Sequence, residues 1–209
     1  MIAQYVRYGL LAACALGGSA LQAQPTSAPT PYVSGGVDLS NDSDHFNEYK
    51  PWAQYEWASG WGVRAGWQRY RLDDWSATGR SLWVTHRVQS DTITSNARVG
   101  INRTGGHDHL VGLWDGMYQF TPSTAAGMSL ECDVVNSRWG IEDGLMVNTA
   151  MLVLDHTFNP RLSVGVAAGS SWFSDSNRRD IVRTRWNLTL SEEKGWYTYL
   201  TTRHFWFTD

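Results

Sequence analysis

Past residue 31 the chain keeps one pattern: over about ten residues at a time, apolar and polar side chains alternate, and turn-forming residues close each run. In "WGVRAGWQ" the odd positions Trp61, Val63, Ala65 and Trp67 oppose Gly62, Arg64, Gly66 and Gln68. In "TITSNARVGIN" Ile93, Ala97, Val99 and Ile101 oppose Thr94, Asn96, Arg98 and Asn102. "AGMSLECDV" sets Ala126, Met128, Leu130, Cys132 and Val134 against Ser129, Glu131 and Asp133. "VRTRWNLTL" sets Val182, Trp186, Leu188 and Leu190 against Arg183, Arg185, Asn187 and Thr189. A period of two places successive side chains on opposite faces of a strand, so the chain is all-β.

Alternation alone serves two architectures. In a soluble sandwich the apolar face points inward; in an outer-membrane barrel it meets lipid and the polar face lines the lumen. Segment length favours the barrel, because a tilted strand needs about 9–11 residues to cross a bilayer. Trp52, Trp57, Trp61, Trp67, Trp172, Trp196 and Trp206 stand at segment ends, as interfacial girdles do. The links take turns in length as well. Short ones fall at 59–60, 89–91, 121–124, 159–161 and 191–195. Longer polar ones fall at 40–47, 73–80, 104–109, 136–144 and 174–179. The expected fold is an up-and-down antiparallel outer-membrane β-barrel of about 10–12 strands over residues 31–209. Eleven segments can be counted, an odd number. With the N-terminus inside, Asp209 would lie outside, which implies a missed strand or a barrel that stops short of closure. The closing aromatic residue expected of such barrels is also missing from "FWFTD".

The first residues read as an export signal: Arg7 in the n-region, the apolar "LLAACALGGSAL", and "LQA" ending at Ala23 as the cleavage site. The apolar stretch is too short to span a bilayer as a helix. "LAAC" also has the form of a lipoprotein box at Cys14. Cleavage after Ala23 leaves Cys132 without a disulfide partner, and residues 24–30 form a Pro/Ser/Thr tether. With a net charge of −3, the chain offers no basic excess for nucleic acid.

"WFSDSNRRD" resembles the F-S-D-G-N-x-R hairpin of polysaccharide-export outer-membrane barrels, those carried behind tetratricopeptide repeats in exporters of poly-N-acetylglucosamine-type polymers, and of small YaiO-type barrels. "LSNDSDHFNEY" resembles their D-S-D-G-F loop, and "ECDVVNS" with "IEDGL" resembles their E-R-D-V-V-x-S stretch. The resemblance carries Asp42, Asp44, Phe173, Asp175, Asn177 and Arg179 as loop-motif residues. His45, Cys132 and Ser176 depart from the usual Gly, Arg and Gly. No repeat segment precedes the pattern, and in the family more strands follow, so the resemblance too implies a partial copy.

On the polar face Arg64, Arg98, Glu131, Asp133, Arg183 and Arg185 are the candidate lumen residues. Carboxylates and amides hydrogen-bond hydroxyls and amine groups, and aromatic faces stack on sugar rings; the same charges can instead brace neighbouring strands. The expected partners are outer-membrane lipid, a sugar polymer, and periplasmic or inner-membrane export components. "HDH" at 107–109 lacks a third ligand, and His86, His156 and His204 belong to no legible Ser/His/acid grouping, so no catalytic residue, metal or cofactor is expected. The leading expectation is non-enzymatic export or surface handling of an exopolysaccharide. A lipid A-modifying barrel enzyme and a barrel fragment without transport activity are the alternatives.

Overall fold

The computed structural model describes residues 30–41, 46–191 and 196–208. The signal and Cys14, nearly all of the tether, the last turn, Asp42, Asp44 and His45 lie outside the described residues. The fold is all-β: a single antiparallel sheet in which each strand pairs with the next in sequence. Its strands are β1 (Tyr32–Asn41), β2 (Asn47–Glu56), β3 (Trp61–Leu72), β4 (Trp75–Gln89), β5 (Ile93–Thr104), β6 (His107–Thr121), β7 (Thr124–Val134), β8 (Met146–Asn159), β9 (Leu162–Phe173), β10 (Arg178–Ser191) and β11 (Trp196–Thr208). One short helix, α1 (Arg138–Glu142), interrupts them. The sheet does not close among the described residues; β1 and β11 are its ends.

Packing divides the chain into two compact units. The first holds the described residues up to His86, with Arg98–Val111 and Val134–Leu145; the second holds Arg87–Ala97, Gly112–Asp133 and the residues from Met146 on. In the first unit the register Val63↔Val84, Ala65↔Leu82 and Trp67↔Arg80 puts one set of side chains on an exposed face. Gly62↔Thr85, Arg64↔Trp83 and Tyr70↔Ala77 lie on the opposite, sheltered face. The second unit repeats the division: Leu152, Leu154, Val166, Trp172, Trp186 and Leu188 are exposed, while Met151, Ala167, Ser171 and Ile181 are buried. Most face assignments read from the alternation hold in both units, but Val134, read onto the apolar face, is buried, and Asn96 and Arg185, read onto the polar face, are exposed.

The expected alternation of long and short links does not hold. Residues 73–80 and 104–109 are not loops. β3 and β4 are joined by Asp73–Asp74, and β5 and β6 by Gly105–Gly106. The polar residues at 75–80 continue the pleat, with Arg69↔Thr78 and Arg71↔Ser76 in register. Two-residue hairpins need left-handed backbone, and Asp73 (φ 48°), Gly105 (φ 61°) and Gly106 (φ 93°) supply it. Residues 135–145 are a true long link, and it folds: Ser137 Oγ accepts from the Gly140 N–H at 3.0 Å and caps α1.

That link sets Ile141 into a cluster with Phe46 and Tyr70, against which Leu72, Trp75 and Ala77 pack. Gly105 is where the β5–β6 turn meets it, since a Cβ there would press on the Ile141 backbone and side chain. Gly105→Ala is therefore expected to cost about 1–3 kcal/mol, through a non-glycine left-handed conformation and the displaced helix. A lowered midpoint in denaturant-induced unfolding followed by tryptophan fluorescence would register it, and an unchanged midpoint would contradict this packing.

Candidate functional site: the charged face of the sheet

In the first unit the sheltered face carries an alternation of tryptophan and arginine on successive strands: Trp52 on β2, Arg64 on β3, Trp83 on β4 and Arg98 on β5. The Arg64 guanidinium lies 4.0 Å from the Trp52 ring centre, and the Arg98 guanidinium 5.1 Å from that of Trp83. Each ring thus offers its negative face to a cation. Arg64 also reaches Asp38 at 3.9 Å, a loose ion pair, and Arg98 Nε is buried with no hydrogen-bond partner among the described residues. Beside them Tyr32 Oη donates to Glu56 at 2.7 Å, and Lys50 pairs with Glu48 at 2.9 Å. Trp52 is a correction. It stands on the sheltered face under Arg64 and does not join the exposed tryptophans, because "PWAQYEW" carries aromatic residues on both faces.

In the second unit the glycine of a middle strand lets charges meet across it. Asp155 on β8 and Arg185 on β10 are both in register with Gly165 on β9, and their side chains approach to 3.9 Å over it. A Cβ at Gly165 would collide with the Asp155 carboxylate. Arg183 lies next on β10 and is directly opposite Arg203 on β11. Asp115 and Glu131 contribute negative potential at Arg183, while Arg203 and Arg185 oppose it. Glu131 pairs in register with Leu113, and Asp133 lies two residues further along β7 on the same face.

The loop-motif residues divide by role. Asp175 and Asn177 are spent on the turn: Asp175 accepts from the Asn177 N–H at 3.2 Å and from its side-chain amide at 2.8 Å. Ser176 takes the left-handed conformation (φ 71°), at the position where the resembled motif has glycine. The Ser174 backbone N–H donates to the Met146 carbonyl at 2.9 Å, which ties the turn to the start of β8. Phe173 and Arg179 do something else. The Arg179 guanidinium sits 5.1 Å from the Phe173 ring centre and 4.5 Å from that of Phe205. It stands on the same face of β10 as Arg183 and Arg185.

The six candidate lumen residues therefore fall into two groups. Arg64 and Arg98 share the first unit; Glu131, Asp133, Arg183 and Arg185 share the second. Reasoning from sequence missed Trp83, Asp155 and Arg203 and set Trp52 among the girdle residues; the positions of all four depend on strand register. The histidines lie elsewhere. His86 is 4.3 Å from the Trp61 ring and His156 Nδ1 is 2.9 Å from Thr124 Oγ1. His107 Nε2 is 3.0 Å from the Glu142 carbonyl oxygen.

Among solved structures a bacterial polysaccharide outer membrane secretin is similar. The TM-score is 0.62 at 17% identity, over 88% of this chain and 66% of that one. The likeness is one of fold. The chain spans slightly less than two thirds of that structure's length. No protein-family model matches the sequence, and no curated protein does.

Proposed function

We propose that this chain is an outer-membrane β-barrel segment that binds and passes, or anchors, an exopolysaccharide without making or breaking bonds in it. The observation carrying this reading is the inversion of the two faces. Leucine, valine and tryptophan side chains stand exposed along the strands, while Arg64, Arg98, Asp155 and Arg183 occupy the sheltered side of the same strands. An exposed apolar face on each unit marks contact with lipid or another apolar surface. The fold likeness to a polysaccharide outer membrane secretin supports the same reading, and so do the three motif resemblances. The polar face supplies the needed chemistry. Carboxylates accept from sugar hydroxyls, guanidinium groups donate to ring and hydroxyl oxygens, and Trp52 and Trp83 supply aromatic surface.

Deletion of the gene in a cell that makes the polymer is expected to leave the polymer inside the envelope, with release restored by the intact gene. Surface polymer unchanged after deletion would overturn the reading.

A further inference from the structure

On the sheltered face Lys50, Arg64 and Arg185 each have a carboxylate in ion-pair reach, but among the described residues Arg179, Arg183 and Arg203 of the second unit do not. Arg183 and Arg203 are direct cross-strand partners. Like charges placed so are destabilising unless something negative lies between them. Arg179, Arg183 and Arg185 lie on one face of β10, and with Arg203 on β11 they put four guanidinium groups on one face of two neighbouring strands. Asp155 reaches Arg185 at 3.9 Å. Asp115 and Glu131 act on Arg183 only through the field, and Arg203 works against both Arg179 and Arg183.

Arg179 adds a second, independent observation. Its Nε is buried and has no hydrogen-bond partner among the described residues, while its guanidinium is held against the Phe173 and Phe205 rings. A guanidinium pinned by its faces presents its Nη edge, and that edge matches a carboxylate, which it can bind with two parallel hydrogen bonds. Arg203 is exposed and its long side chain can reach a ligand.

We infer that Arg179, Arg183 and Arg203 form a binding site for a carboxylate-bearing sugar, so that the polymer handled is acidic, with uronate or similar residues. This rests on the polysaccharide reading above and narrows it to a substrate class. The carboxylate lies between Arg183 and Arg203 and relieves their repulsion, while Arg179 engages a second acidic group or a ring hydroxyl at the Phe173 end. Asp155 holds Arg185 back from the ligand and fixes which guanidinium groups face it.

Calorimetric titration of the full chain, refolded in detergent micelles at low salt, tests this with three probes: a short oligogalacturonate, a neutral glucan oligosaccharide of the same length, and inorganic phosphate. The acidic sugar is expected to bind about tenfold or more tighter than the neutral one. The R183Q/R203Q variant is expected to lose that advantage, and R183K/R203K to keep most of it. If the double glutamine variant does not refold, R179Q serves, with an expected weakening for the acidic sugar alone. Equal binding of acidic and neutral sugars overturns the acidic site and leaves the polysaccharide reading standing. Phosphate binding as tightly as the oligogalacturonate overturns a sugar site in favour of a general anion site. Binding of neither sugar overturns both.

Discussion

Leu152→Arg is expected to weaken folding into lipid vesicles by about 2–4 kcal/mol, the cost of a cationic side chain on the lipid face near the bilayer midplane. Leu152 lies midway along β8, is 70% exposed, and pairs with Ala168 on the exposed face. The size of the effect discriminates because the two environments predict opposite outcomes. On a soluble protein a side chain so exposed accepts arginine within about 0.5 kcal/mol. In a bilayer the same change lowers the folding constant roughly 30- to 700-fold. Asn148→Arg supplies the depth control. Asn148 is exposed on the same face, close to the start of the strand, and should cost no more than about 1 kcal/mol. Equilibrium unfolding from vesicles, followed by tryptophan fluorescence, measures both. Equal, small effects at the two positions would mean that water, not lipid, covers this face.

How much of this was legible in the sequence depends on which residues are asked about. The faces of β3, β5, β7 and β10 follow from alternation because the period is two and most of those runs are uninterrupted. Arg64, Arg98, Glu131 and Arg183 stand half-buried on the polar parity of their strands, whereas Arg185, of the same parity, is exposed. Link lengths were not legible, because polarity was read as loop. Ser76, Thr78 and Arg80 are polar yet continue β4, since a strand can run on beyond an apolar band without changing its geometry. Helix α1 is too short to show a period of 3.6, and its only local sign was Ser137, a cap residue, ahead of Trp139 and Ile141. The cluster at Arg183 needed register: no reading of either strand alone sets Arg203 opposite it, and no spacing rule sets Asp155 across Gly165 from Arg185.

Ile141→Asp is expected to release the 135–145 link while the strands stay paired. Ile141 is 1% exposed in its cluster with Phe46 and Tyr70, and it is the hydrophobic anchor of α1. Other ties of the link are hydrogen bonds, among them Val135 N–H to the Leu145 carbonyl at 2.9 Å, Tyr70 Oη to Asn136 Oδ1 at 3.3 Å, and the contact of His107 Nε2 with the Glu142 carbonyl oxygen at 3.0 Å. Each contributes only about 1 kcal/mol net, so they do not offset a buried carboxylate without a partner, which costs several. The link therefore opens before the acid is accommodated, and the strands keep their own ladders. Limited trypsin digestion reads this at Arg138, whose side chain is held by Glu142 at 3.1 Å in the closed link. Cleavage after Arg138 should rise about 100-fold or more when opening is fast relative to cutting, because its rate then follows the open population. Ile141→Val should change it little, and Ile141→Ala should fall between, in line with the usual cost of about 2–5 kcal/mol for such a truncation. Far-UV circular dichroism should be unchanged throughout. Loss of strand signal in Ile141→Asp would mean instead that this cluster holds the hairpin ends of the first unit together, and that the link cannot move apart from them.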